Sequence, residues 1–360
     1  MAHRSSLYEL HRSLGATFAE ERGWELPQQY QDPVQEHRAV RESVGIVDLS
    51  YRTVYQVTGS ERIRFLNGML TNDIGKLKDG QGCYACLLTV QGKIVADLEV
   101  YALHDHHLME LDTRWKDQAQ DHLNKYIIAD DVAFEVQGDS ALLALQGPDA
   151  STILQRVLPG AALPDGEQQC VELTLNDHVV RVIQASITGE EGYKLVTPGE
   201  RAADMWRVLQ KASAIPVGMG ALNTLRLEAG IPWFGVDFDE GNFPQEAGIE
   251  DRAVSSTKGC YIGQEFVVRI AHRGHVNRRI SGLTMQREST PRPGDRVFHE
   301  GKEVGRISSA ALSPTLDKII GLGMLRRESQ KPGTVVQVES DGKSIPAEVS
   351  PLPFYRRSEG

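Results

Sequence analysis

Cysteine is scarce in this chain: Cys83, Cys86, Cys170 and Cys260 are the four among 360 residues. So few thiols in so long a chain exclude a disulfide scaffold and predict reduced cysteines in a reducing compartment. No apolar run approaches the roughly 18 to 20 residues that cross a bilayer as a helix, so no membrane partner is expected. Positive charge is also short. The formal net charge is −10, whereas general nucleic-acid binding rests on neutralising phosphates with Lys and Arg, so no nucleic-acid partner is expected. GxGxxG in a strand-to-helix context, GxxxxGK[ST] and GxSxG are all missing, which leaves nucleotide-phosphate cradling and serine hydrolysis unsupported. The opening stretch MAHRSSLYELHRSLGATFAE carries Glu9 and Glu20 and lacks an apolar core. It fits neither a secretory signal nor an acid-poor transit peptide, and predicts a mature, cytoplasmic start.

What is present reads as an ordinary soluble globular protein, with 40% hydrophobic and 24% charged residues. At this length two or three domains are expected. TVYQVTG (53–59), GCYACLLTV, KIVADLEVYAL and HHLMELD alternate as strands, with Gln91-Gly92 as a hairpin turn. SERIRFLNGML (60–70) and RWKDQAQDHLNKYI (114–127) read as helices. A second round runs from DVAFEVQ and SALLALQG through the amphipathic helix ERAADMWRVLQKA. Antiparallel strands with returning helices predict α+β layers. After residue 278 short strands follow one another between Gly, Pro and Asp turns, the texture of a small all-β barrel or sandwich. The expected division is residues 1–277, with about 52–130 forming one of two interleaved α+β subdomains, and a β-barrel over 278–360.

Several residues invite a chemical reading. Cys260 in KGCYIGQEFVVRI precedes a predicted helix start near Gly263 and follows Lys258. Helix dipole and ammonium would together favour a thiolate there; packing as a small apolar residue is the alternative. Cys83 and Cys86 share a strand whose alternation puts them on opposite faces, so they read as core. His104, His106 and His107 read as an exposed turn. Glu190 and Glu191 sit in a glycine-flanked turn, able to receive the N–H edge of a heterocycle or merely solvated. Asp97 lies within an apolar strand, where it either faces solvent or needs a partner. Arg226 flanks the apolar stripe of GALNTLRLEAGIP (220–232) and is either paired or a carboxylate holder. RIAHRGHVNRR (269–279) concentrates Arg269, Arg273, Arg278 and Arg279, as a solvated loop or a local anion site.

The run VGIVDLSYRTVYQVTGSERIRFLNGMLTNDIGKLKDGQGCYACLLTVQGKIVADLEVY, followed by ALLALQGPDA, TGEEGYKLVTP, GALNTLRLEAGIPWFGVDFDEGNFPQEAG and EVGRISSAALSPTLDKIIGLGML, resembles the glycine-cleavage T-protein (GcvT) superfamily. The resemblance covers about residues 35 to 350. It implies two α+β subdomains and a C-terminal β-barrel around a central channel for tetrahydrofolate. KGCYIGQE, with Arg269 following, is similar to the signature of the YgfZ-type branch. That branch implies support of iron–sulfur enzyme maturation or repair, with iron–sulfur client proteins and folate, including polyglutamylated forms, as partners. On this reading Cys260 is the functional thiol, and Tyr84, Glu190, Arg226, Lys258, Tyr261, Gln264, Glu265 and Arg269 surround the folate. Departures from the T-protein pattern point the same way: Ala96 stands beside Asp97 where two aspartates are the rule, and Lys194 stands where a pterin-contacting carboxylate falls. The alternative is a folate-dependent aminomethyltransferase or demethylase using Asp97 as its acid–base group.

Overall fold

The structure, a computed structural model, describes residues 2–138, 140–175 and 177–357, with the side chain of Arg273 excepted. Two α+β units are interleaved along the chain. The first is a six-stranded sheet ordered Cys170–Leu175, His178–Gln184, Gly192–Pro198, Ser140–Gln146, Gly45–Asp48 and Ile215–Pro216. After Gly45–Asp48 the chain leaves to build the second, a five-stranded sheet ordered Gly82–Leu88, Ile94–Ala102, His107–Asp112, Arg52–Thr58 and Ala133–Val136. It returns to the first at Ser140–Gln146. Strands from Arg278–Met285 to Lys343–Ser350 then close a six-stranded barrel.

Period-two patterning decides which face of the second sheet does what. In Ile94–Ala102 the residues Ala96, Leu98 and Val100 point one way and are fully buried. They pack with Phe65, Leu66 and Met69 of helix Arg62–Met69 and with Ala119 and Leu123 of helix Lys116–Asn124. Each such leucine stabilises the fold by about 2 kcal/mol. Asp97, Glu99 and Tyr101 therefore point the other way, toward the junction of the three units.

Close approaches pin that junction. The hairpin turn at Gly92 has φ 77°, and a Cβ there would lie 2.8 Å from Phe266 Cβ. Gly263, with φ 83°, would meet Thr89 O at 2.6 Å. Glycine at both positions lets the turn seat on the start of helix Gln264–Arg273. The barrel is joined to helix Met219–Glu228 through polar contacts. Arg226 donates to Ser309 Oγ at 2.7 Å, and Ser313 donates to Glu228.

Candidate active site

The polar face of the second sheet brings together residues from four strands. Tyr84 lies opposite Glu99, Glu99 opposite Glu110, and Arg52 opposite Asp112. Two glutamates facing each other across a ladder repel, and burial makes the repulsion costly. Lys194, from strand Gly192–Pro198 of the other α+β unit, answers it: its Nζ lies 2.5 Å from Glu99 Oε2 and 3.0 Å from Glu110 Oε1. Arg52 donates to Glu110 from the other side. Burial works against charge on Glu99, but Lys194 and Arg52 outweigh it and hold that carboxyl down at about 2. Burial likewise opposes the Lys194 ammonium, and Glu110 and Glu99 nonetheless raise it. The position where the T-protein resemblance expects a carboxylate is thus a cation that ties two subdomains together.

Asp97 is set apart from this quartet. It is half-buried, and the Tyr84 hydroxyl donates to its Oδ2 at 2.7 Å. Burial pushes its carboxyl up, Asp112 and Glu99 add to the rise, and Arg52 and the Tyr84 hydrogen bond only partly offset them. A carboxyl with an upward-shifted pKa beside a phenol is suited to exchanging a proton with a bound nitrogen. Arg252 stands 5.3 Å from the Tyr84 ring centre, and Asn72 ties the two segments by donating to both Tyr84 O and Arg252 O.

A further cation enters from the amino-terminal hairpin, strands Thr17–Glu21 and Trp24–Gln29. Arg22, at φ 57°, lays its guanidinium 4.8 Å from the Tyr51 ring and 4.2 Å from the Trp233 ring. Its Nη1 donates to Asp112 at 3.1 Å, while Nη2 is buried with no hydrogen-bond partner among the described residues. An arginine stacked between aromatics with an unspent N–H is ready for an acceptor on a planar ligand.

The residues singled out from sequence fall into three groups. Tyr84 and Asp97 are brought into direct contact. Glu190 and Arg226 are buried and already paired: Glu190 holds Arg41 at 2.8 Å and Arg357 at 2.6 Å, and Arg226 holds Asp237 at 2.5 Å as well as Ser309. These pairs knit the helices, barrel and carboxy-terminal segment, so the paired state that the sequence left open for Arg226 is the one the structure shows.

The third group surrounds Cys260. Cys260 is exposed. Lys258 does not serve it: its Nζ is enclosed by the carbonyls of Asn67, Leu70 and Asn72 at 2.5 to 2.8 Å. Burial brings this lysine down to about 8. The expected ammonium-promoted thiolate therefore lacks its ammonium. Tyr261 is buried in the same apolar cluster as Cys86, Gln264 is half-buried, and Glu265 and Arg269 pair with each other on the surface. Arg278 and Arg279 are likewise paired, with Glu246 and Glu250, so the described part of the basic run is not an open anion patch; the Arg273 side chain lies outside the described residues. Cys83 and Cys86 do occupy opposite faces, in separate core clusters, and burial pushes the Cys83 thiol up to about 12. His106 and His107 are buried, against the exposed turn expected for them; only His104 is exposed.

Glu99, Glu110, Arg52, Arg22 and Arg252 were not singled out from sequence. Acids two apart within apolar strands, Asp97 with Glu99 in ADLEV and Glu110 with Asp112 in MELD, were the available signal. Arg22 and Arg252 gave none, because they reach the site from distant segments.

Fold and site define a protein of three units with a charged, aromatic junction, and comparison with known proteins supplies the family. The GCVT N-terminal domain matches residues 7–258, and the glycine cleavage T-protein C-terminal barrel domain matches 278–356. The chain belongs to the GcvT family. It is 35% identical over 370 residues to an aminomethyltransferase of Chlorobium luteolum, covering 99% of each chain. It is 32% identical to one of Bacillus licheniformis, covering 99% of this chain and all of that one. The glycine cleavage system aminomethyltransferase T from Bartonella henselae superposes with a TM-score of 0.91 at 28% identity, over 99% of this chain and 98% of that one. These relatives favour the transferase alternative over the YgfZ-type placement, to which they lend no support.

Proposed function

We propose that the protein is a folate-dependent one-carbon transferase of the aminomethyltransferase kind, with tetrahydrofolate as its one-carbon acceptor. The single observation that carries the reading is the Tyr84–Asp97 contact. It sets a carboxyl whose pKa is raised by burial on the face where three units meet, in a chain about one-third identical to aminomethyltransferases along its full length. When bound, tetrahydrofolate supplies the nitrogen that takes up the one-carbon unit. The residues present fit its ring system through the unspent Nη2 of Arg22, a donor to a ring carbonyl, while the faces of Tyr51 and Trp233 are taken up by the guanidinium groups of Arg22 and Arg226. Asp97 passes the proton, Tyr84 orients the carboxyl, and Arg52 limits how far its pKa rises.

The test incubates the purified protein with tetrahydrofolate and an aminomethyl or methylated-amine donor and measures methylene- or methyl-tetrahydrofolate. Product formed by the wild type and by Cys260→Ser but not by Asp97→Asn is the expected pattern; absence of product from any donor sinks the reading.

A second reading, iron–sulfur maturation or repair through Cys260, rests on the exposure of that thiol and on Ala96 and Lys194. In a strain lacking the protein, failure of Cys260→Ser to restore iron–sulfur enzyme activity, with Asp97→Asn restoring it fully, would put this reading first.

A further inference from the structure

Helix Arg62–Met69 ends against the segment that carries Cys260, and that segment satisfies the carbonyls at the helix end. Ile262 N donates to Gly68 O at 3.0 Å. Lys258 Nζ lies 2.6, 2.5 and 2.8 Å from the carbonyl oxygens of Asn67, Leu70 and Asn72. An ammonium has three N–H donors and no acceptor, so three converging carbonyls use it completely. Asp73 and Cys83 are the titratable groups that act on it, and the Tyr261 ring lies 4.9 Å away; Asp73 is itself paired with Lys76 at 2.8 Å. Lys258 is 9% exposed, and enclosing a cation is costly unless it is hydrogen-bonded. Here the bonds go to main-chain carbonyls, so what the ammonium fixes is a backbone conformation.

The backbone so held, Leu70 to Asn72, lies between the strand that bears Tyr84 and the segment that bears Arg252. Thr71 N donates to Cys86 O at 3.1 Å, and Cys86 N donates to Thr71 Oγ1 at 2.8 Å. On the other side Thr71 Oγ1 donates to Ala253 O at 2.6 Å, and Ser255 N donates to Thr71 O at 3.0 Å. Asn72 reaches the site itself. Its Oδ1 accepts from Asp73 N at 2.9 Å, which turns both amide N–H groups the other way, onto Tyr84 O at 2.9 Å and Arg252 O at 3.0 Å. The Tyr84 hydroxyl then donates to Asp97. A continuous run of hydrogen bonds thus joins the ammonium to the backbone from which the phenol reaches the carboxyl.

We propose that Lys258 is a positioning residue for the Tyr84–Asp97 pair and acts through Asn72: its ammonium fixes Leu70 to Asn72, and Asn72 fixes the main chain of Tyr84 and of Arg252. This role rests on the reading of Asp97 as the proton-exchanging group. It gives Lys258 a part in the reaction that involves no contact with Cys260.

The experiment compares full-length Lys258→Met, Asn72→Ala and the double variant with the wild type. It reads tetrahydrofolate-dependent transfer and, by NMR of the isotope-labelled carboxyl, the titration of Asp97. Each single substitution should lower kcat per folded molecule by at least about tenfold, the scale of one lost hydrogen bond to a charged group, with KM for tetrahydrofolate within about twofold. The double variant should be no slower than the slower single one, because the two residues act in series. Tyr84→Phe removes the hydrogen bond that holds the Asp97 pKa down and so sets the direction: Asp97 should titrate at higher pH in Lys258→Met and in Asn72→Ala as well. Lower stability with kcat and the Asp97 titration unchanged would leave Lys258 a purely structural residue and overturn the inference, as would additive losses in the double variant. If Lys258→Met does not fold, Lys258→Arg, which keeps the charge without three converging donors, decides by the same readouts. If the wild type turns over no donor, the proposed function falls, and the Asp97 titration alone still decides whether Lys258 positions its partner.

Discussion

The sheet face around Asp97 and the turn around Cys260 both present a group capable of chemistry, and they are built in opposite ways. Asp97 stands on a strand whose other face is fully buried core, with Tyr84 in contact and Glu99, Glu110, Arg52 and Lys194 paired beside it. Cys260 is exposed, and the lysine two residues away spends its ammonium on three carbonyls of another segment. Preorganised dipoles and counter-charges change the behaviour of a reacting group only when they are aimed at it and shielded from water. By that measure the acid is the group at which the surrounding charges are aimed. Composition made the thiol conspicuous; packing gives the carboxyl its raised pKa.

The sharpest break between the two regions is expected from Asp97→Asn. Removing the proton-transfer group should lower kcat for tetrahydrofolate-dependent transfer by about 10² to 10⁴ while leaving the fold intact. Retained turnover would return the two regions to equal standing.

Next in size is Lys194→Met. It strands Glu99 and Glu110 opposite each other without their shared cation, and breaking a buried pair in this way costs about 3 to 5 kcal/mol. Urea unfolding measures the loss. A second substitution, Glu110→Gln, should recover part of it, because it removes one of the two stranded charges.

Acid should act on that region and on the Glu228 cluster that joins helix Met219–Glu228 to the barrel. Glu99 and Glu228 are each held at about 2, below the ordinary carboxylate value of 4.5. For Glu228, burial opposes the charge, and His37, Ser313 and Arg41 outweigh it. A carboxyl whose folded pKa is depressed contributes stability that is complete above its unfolded pKa and disappears as pH falls toward the folded one. Unfolding free energy should therefore drop between about pH 4.5 and 2, by on the order of 3 kcal/mol for each group. Asp97 runs in the reverse sense. Its folded pKa is raised, so it costs stability from the point where pH rises through the ordinary value of 3.8, the cost is complete above the folded value, and Asp97→Asn should remove it at neutral pH. Unfolding curves of the two proteins across pH check both signs.

Much of the architecture was legible because the patterning is regular. Ala96, Leu98 and Val100 alternate with Asp97, Glu99 and Tyr101, and the barrel strands begin at Arg278, where the turn-rich texture sets in. Asp97 was legible for the same reason, as a charge inside an apolar strand. The partners were less so. Lys194 comes from a different sheet, Arg22 from a hairpin, and Arg252 from a short helix, Glu250–Ala253. Only the tertiary fold brings such segments together. The pairing of Glu190 and Arg226 was illegible for a related physical reason. A buried ion pair and a ligand-holding charge look alike in one dimension, since each is a single charged residue beside apolar ones.

The smallest effect is expected at Cys260. Its side chain is exposed and makes no contact on which the core depends, so Cys260→Ser should change unfolding free energy by no more than about 0.5 kcal/mol. Exposure also sets its reactivity apart from the other thiols. Cys86 and Cys170 are buried, and Cys83 is half-buried in the core with its thiol pushed up to about 12. Limiting iodoacetamide should therefore label Cys260 first, as read by peptide mass spectrometry of the native protein. If labelling at that position leaves tetrahydrofolate-dependent transfer unchanged, the turn is a surface feature for the reaction at Asp97. If it stops transfer as completely as Asp97→Asn does, the contrast between the two groups fails, and the segment from Cys260 to Arg269 belongs to the machinery after all.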